Sequence, residues 1–354
     1  MGPATRDFHE RWVAADSGDD DDGSRVRPDG ACFRGGKADK ASFVDSLEYG
    51  VSRVSDAATD ELAIVSERIA RIPDRYRRFT ESAQRAQRLY RITQPTLERL
   101  LDRGLPHRSE GGQLTFDVND LKSVSMALRT RSPHRIALAS LADALAAGEA
   151  AVTVEHTVRI QAQCPDPGHE GSCAFRLAPE ARRSPDTVAV RDLDPRHFEI
   201  EVRVSGGAAH VLDLTEPERQ LACEAQQLRF HRIPHVLGMD LGFLAETGLA
   251  DCRLATIFLA QRGAQLGVAI RGATGLFLSR PFAPRHFWIE LRRDDGWVPA
   301  DPFFLTALAR WGLLDSVAWP ASRSPRGAFW KLEIGPGAAL VTHEGGSPVS
   351  IITS

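Results

Sequence analysis

Lysine, cysteine and long apolar runs are all scarce in this chain. Five cysteines in 354 residues are too few, and odd in number, for a disulfide scaffold; they suit a reducing compartment that keeps a reactive thiol. No apolar stretch approaches the ~20 residues that a membrane-spanning helix needs, and no basic-then-apolar secretory signal opens the chain. A cytoplasmic protein with no membrane partner is therefore expected. Strong net charge is missing too: at −3 there is no global attraction to polyanions, although arginine outnumbers lysine about ten to one. A phosphate loop and paired Cys-x-x-Cys motifs are absent, so no cofactor and no metal is expected. What is present is a 42% hydrophobic composition, enough for a sizeable core, over a length that suggests two or three domains.

Residues 1–50 carry the acidic run Asp16-Ser17-Gly18-Asp19-Asp20-Asp21-Asp22-Gly23 and read as a disordered tail. Over 51–148 the pattern turns helical, with Leu62, Ile64, Val65, Ile69 and Ile72 in one stretch and Ile136, Leu138, Leu141, Ala142 and Leu145 in another, predicting a separate small domain. Inside it Thr93 caps a helix that runs to Gly104, Gly111-Gly112 turns a hairpin into Phe116, and Asn119 or Asp120 caps the next helix.

Over 149–210 Val152, Val154, His156, Val158 and Ile160, then Phe198, Ile200, Val202 and Val204, alternate at strand period. This predicts a β-rich segment. Its tip, Cys164 to Cys173, holds two thiols and the His169 imidazole but no fourth ligand, so it reads as a plain loop, with a reversible disulfide as the weaker option.

The chemistry concentrates in 211–354. Asp251 is a good N-cap, Leu254, Ala255, Ile257 and Phe258 give an apolar helical face, and Gly263 is the expected stop. Cys252 then sits on the first turn, where unpaired N–H groups and the helix dipole favour thiolate and can hold an oxyanion. Asp294-Asp295-Gly296 is a hairpin signal, so the strand opening at His286 folds back to bring Asp301 beside the imidazole, within about two residues of register. His286, Trp288 and Glu290 share one strand face; Phe287, Ile289 and Leu291 share the other. Singly, a cysteine or a strand histidine is ordinarily packing. Nucleophile, base and orienter in this order are a triad for acyl transfer. Gln226, Gln227, His231 and His235 upstream are equal candidates for an added oxyanion donor, whereas Phe303, Phe304, Leu305, Trp311, Leu313 and Leu314 read as packing.

The runs Gly248-Leu249-Ala250-Asp251-Cys252-Arg253-Leu254-Ala255, His286-Phe287-Trp288-Ile289-Glu290 and Gly296-Trp297-Val298-Pro299-Ala300-Asp301-Pro302 resemble the core motifs of the transglutaminase-like superfamily of papain-fold thiol enzymes. The resemblance covers roughly 225–305. It implies Cys252 as nucleophile, His286 as general base and acid, Asp301 as orienter, and a cleft lined by Asp251, Arg253, Phe287 and Trp288. Phe287 and Ala250 depart from the family's usual small residue and glycine. Val152 to Pro179 is loosely similar to the β-rich segment preceding this core in bacterial members. The implied fold is α+β, a papain-like core at 211–354 behind the β-rich segment. Leu105-Pro106-His107-Arg108 through Gly112, Phe116 and Asp120-Leu121 loosely resembles the winged helix-turn-helix of excisionase and mercury-regulator proteins. Arg75, Arg77, Arg78, Arg85, Arg88, Arg91, Arg99, Arg103 and Arg108 around it are available as phosphate contacts.

The function so implied is thiol-dependent acyl transfer from a peptide, protein or carrier-bound thioester, through acyl-Cys252, to an amine. Hydrolysis by the same triad, as a cysteine peptidase or amidase with water as acceptor, is the close alternative. A DNA-binding or protein-docking scaffold with an inactive core is the third.

Overall fold

The computed structural model describes residues 51–354 apart from 151, 167–168, 170–172, 207–210, 295, 336–337 and 345–347. The tail expected over 1–50, part of the Cys164 to Cys173 tip and Asp295 of the hairpin turn lie outside the described residues. Ala57–Ser354 is one compact unit; of the other, Met1–Asp56, only the opening residues of the first helix are described. The architecture is α+β. No helix among the described residues is long and apolar enough to cross a membrane.

The N-terminal part consists of α1 (Val51–Ala70), β1 (Phe79–Ser82), α2 (Ala83–Tyr90), α3 (Gln94–Asp102), β2 (Arg108–Glu110), β3 (Gln113–Asp117), α4 (Val118–Ala127) and α5 (Pro133–Ala150). Thr93 caps α3 as its sequence predicts, its hydroxyl accepting from the Thr96 N–H. The cap of α4 is Asp117, not Asn119 or Asp120: one carboxylate oxygen takes both of those N–H groups, at 2.7 and 3.3 Å. Asp120 is instead buried against Arg77, with Nε donating to Oδ2 at 2.7 Å while the other guanidinium nitrogens bond the Ile69 and Ile72 carbonyls. Stranding either partner costs about 3–5 kcal/mol. Two arginines read as phosphate contacts are thus engaged internally, Arg77 here and Arg85 with Glu81 at 2.6 Å.

The β-rich segment contains β4 (Thr153–Gln163), β5 (Phe175–Leu177), α6 (Pro179–Arg183), β6 (Thr187–Asp194) and β7 (His197–Ser205). Alternation buries Val158 and Ile160 on β4 and Phe198, Ile200, Val202 and Val204 on β7, in the register Ile160↔Phe198.

The remaining chain forms α7 (Glu216–Gln227), β8 (Arg229–Phe230), α8 (Leu241–Thr247), β9 (Leu249–Ala250), α9 (Cys252–Gln265), β10 (Ile270–Phe277), β11 (Arg285–Arg293), β12 (Gly296–Ala300), α10 (Pro302–Arg310), β13 (Phe329–Lys331), β14 (Val341–His343) and β15 (Val349–Thr353). β12-β11-β10-β13 is an antiparallel sheet. Its Ile289 and Leu291 face packs with Leu254, Ala255 and Leu259 of α9, while Trp288 packs with Phe304 and Leu308 of α10 and with Met126, Leu138, Leu141 and Leu145 of α4 and α5.

Two long-range features join segments that the sequence separates. The helical part closes a core of its own around Leu97, Leu100, Phe116 and Leu121, yet also shares the Trp288 core. The last strands leave the segment beginning at 211: β14 pairs with β5, and β15 forms an edge of the β15-β4-β7-β6 sheet. Ala57–Ser354 is one unit because buried apolar surface is continuous across these segments.

Candidate active site

Cys252 opens α9 directly behind its cap. The Asp251 Oδ1 accepts from the Leu254 N–H at 2.9 Å, fixing where the helix begins. Burial pushes the Asp251 carboxyl up, against the pull of the capped N–H groups and of Arg232 and Arg253. The predicted stop is displaced. Gly263 lies inside the helix, where an added Cβ would meet Ile270 Cγ2 at 2.8 Å, and the chain leaves at Gly267 with φ +74°. Glycine at 263 serves close packing; glycine at 267 supplies the left-handed turn.

β11 and β12 form the expected antiparallel pair, in the register Ile289↔Ala300. One further step along it sets Asp301 opposite Trp288, two residues from His286. The side chains close that gap: His286 Nε2 donates to Asp301 Oδ2 at 2.6 Å. Asp301 Oδ1 meanwhile accepts from the Phe304 N–H at 3.0 Å, capping α10 with Pro302 at its first position. The carboxylate is therefore held from both sides. Asp-Pro ahead of Phe303-Phe304-Leu305 is the local cap signal for this helix.

With Nε2 committed to the carboxylate, the other ring nitrogen is left for the thiol, and Cys252 acts on the ring by raising its pKa. Burial by itself would lower the His286 pKa. The Asp301 hydrogen bond and charge, together with the interaction with Cys252, outweigh burial and raise it to about 9. The ring lies among Phe277, Phe304, Phe329 and Trp288, with centroids at 5.5, 4.8, 5.2 and 6.2 Å. Gly275, opposite His286 on β10, has no room for a side chain: a Cβ there would sit 1.9 Å from the Trp330 carbonyl oxygen.

No protein-family model matches the chain, and neither curated proteins nor solved structures yield a match. What the site can do rests on its geometry.

The four residues expected to line a cleft are placed unequally. Asp251 and Arg253 are partly exposed beside the partly exposed Cys252, and Arg253 donates to His235 Nε2 at 3.2 Å. Phe287 is buried, with the Arg285 guanidinium 5.7 Å from its ring centroid, and Trp288 is enclosed in the sheet core. Among the four upstream candidates, His231 is buried with Nε2 3.3 Å from Ser123 Oγ and a pKa lowered to about 3 by burial and by Arg68 and Arg77. His235 faces Arg253, and Gln226 and Gln227 are exposed at the end of α7. No described hydrogen bond joins any of the four to Cys252.

The loop read as lacking a fourth donor gains one. His343 on β14 lies with Cys164, His169 and Cys173, and one ligand atom from each falls within 4.8 Å of every other. Strand pairing between residues 166 apart in the chain brings it there, which local spacing does not reveal.

Proposed function

We propose that the chain is a papain-like, transglutaminase-like thiol enzyme that transfers an acyl group through acyl-Cys252 to an amine. The observation that carries this reading is the 2.6 Å His286–Asp301 hydrogen bond, on a ring whose pKa Cys252 also raises. A nucleophile at a helix start, packed on an antiparallel sheet that supplies base and orienter, is the layout of a papain-like core. Attack by the Cys252 thiolate on a thioester or amide carbonyl forms the S–acyl bond. The developing oxyanion is met by the N–H groups at the start of α9. His286 gives its proton to the leaving thiol or amine, then takes one from the acceptor amine as the C–N bond forms and Cys252 leaves. The aromatic rings around His286 favour amine over water as acceptor, since they keep bulk water from the base.

The N-terminal helices α2 and α3 with the β2–β3 hairpin support a winged helix-turn-helix reading. That module is a docking surface for protein or DNA, with Arg77, buried against Asp120, removed from its phosphate contacts.

Intact-protein mass spectrometry after exposure to thioester and glutamine-peptide donors tests the proposal. Wild type is expected to gain one acyl group, and added amine to discharge it as amide. Acylation that persists in Cys252→Ala would exclude this nucleophile. Discharge as free acid in the presence of amine would make the enzyme a hydrolase.

A further inference from the structure

We propose that Cys164, His169, Cys173 and His343 form a closed structural zinc site. Three of the donors lie on the connection between β4 and β5: Cys164 immediately follows β4, Cys173 comes two residues before β5, and His169 lies between them. The fourth arrives through the β5–β14 ladder, whose register sets His343 opposite Phe175. Cys173 Sγ lies 3.5 Å from His169 Nε2, and the His169 and His343 ring centroids are 4.8 Å apart edge to face. One ligand atom from each residue falls within 4.8 Å of every other.

The geometry suits the ion. Tetrahedral Zn²⁺ with bonds of about 2.3 Å to sulfur and 2.0–2.1 Å to nitrogen separates its ligand atoms by roughly 3.3–3.8 Å. The cluster is already near that size and needs little more than side-chain rotation to reach it. Two thiolates and two imidazoles are the ligand set that selects zinc, and four protein ligands leave no open position for catalysis. Binding exchanges two thiol protons for one Zn²⁺ and leaves a site of zero net charge, which the buried Cys164 favours. A disulfide between Cys164 and Cys173 would use two of the four groups and leave the convergence of two imidazoles on them unexplained. The work of the ion is mechanical: it ties β14 to the β4–β5 connection.

The test uses the full chain carrying Cys252→Ala, so that the triad thiol contributes no ligand. Zinc per chain is measured by mass spectrometry of metals after desalting, and cobalt loading is followed by visible absorption. One zinc per chain and the intense absorption of tetrahedral, thiolate-bound cobalt are expected. Cys173→Ser removes an exposed ligand and His343→Gln a half-buried one, so folded protein is expected from both, as circular dichroism will show. Each should weaken zinc binding by more than the roughly 10–100-fold that loss of an outer-shell partner costs. A chelator should lower Tm in the parent and leave Cys173→Ser unmoved. Zinc content unchanged in both variants, no zinc retained at micromolar free metal, or a Cys164–Cys173 disulfide in metal-replete protein would each overturn the proposal. None of these readouts depends on acyl transfer, so the site stands or falls apart from the enzyme reading.

Discussion

Asp301 has two duties that substitution can separate. One oxygen orients His286 and the other caps α10. Asparagine caps helices about as well as aspartate, whereas alanine forfeits about 1 kcal/mol of helix stability. Asp301→Asn should therefore keep the cap of α10 but lose the stabilisation that the carboxylate charge gives protonated His286, and lose acylation rate by about a hundredfold or more, because it withdraws the charge that positions the base. Asp301→Ala should lose the cap as well and melt lower still. The pH profile gives the sign. With a pKa of about 9 in the folded protein against about 6.5 for free imidazole, protonated His286 stabilises the fold fully below the lower value. That stabilisation disappears as pH climbs through the upper one. The thiolate–imidazolium form is lost over the same upper limb, so kcat/KM should fall above about pH 9. Asp301→Asn should move that limb downward. A limb that stays in place would show that the carboxylate does not act on the ring.

At the scale of elements, the β10–β11–β12 sheet holds the triad, and its tightest point is Gly275. Because a side chain there would collide with the backbone of β13 rather than with a flexible neighbour, Gly275→Ala has to part β10 from β13. A cost of about 3 kcal/mol or more is expected, read as a lowered urea midpoint with the slope unchanged. An unchanged midpoint would mean that β13 is not fixed against β10. The same sheet shows what a sequence can disclose. The β11–β12 hairpin and the cap of α9 are local, so alternation, turn residues and Asp251 were enough to place Asp301 near His286 and Cys252 at a helix start, while bringing Cys252 to the other two rested on the resemblance. Where several residues could serve one local role, the expectation and the structure differ: Asp117 caps α4 ahead of Asn119 and Asp120, and α9 runs through Gly263 to Gln265, with Gly267 making the left-handed turn. The rings around His286 were not legible, since Phe277, Phe304 and Phe329 come from three elements whose meeting is set by packing. His343 is the extreme case, joined to its cluster by a pairing whose partners lie 166 residues apart.

For the molecule as a whole, the C-terminal strand connects the β-rich sheet to the active site. β15 pairs along β4 from Val349↔Gln163 to Thr353↔Arg159. Its other side meets the connection between β10 and β11: the Ala283 N–H donates to the Ile352 carbonyl at 3.1 Å, and the Ser354 N–H to the Pro281 carbonyl at 3.2 Å. That connection ends at Arg285, next to His286. Removing residues 349–354 takes away no triad group and no cysteine, yet it frees the backbone leading into the base. A base displaced by about 1 Å costs on the order of a hundredfold in rate, so the truncated chain should acylate at least tenfold more slowly. Its loss of stability should be modest, because β15 is an edge strand with Ile351 exposed. Stopped-flow acylation and thermal melts on the same preparation separate the two effects. A truncated chain that melts lower but acylates at the parent rate would show that β15 supports the sheet without reaching the base. Slower acylation with Tm nearly kept would establish that a strand outside the triad sheet sets the position of the imidazole.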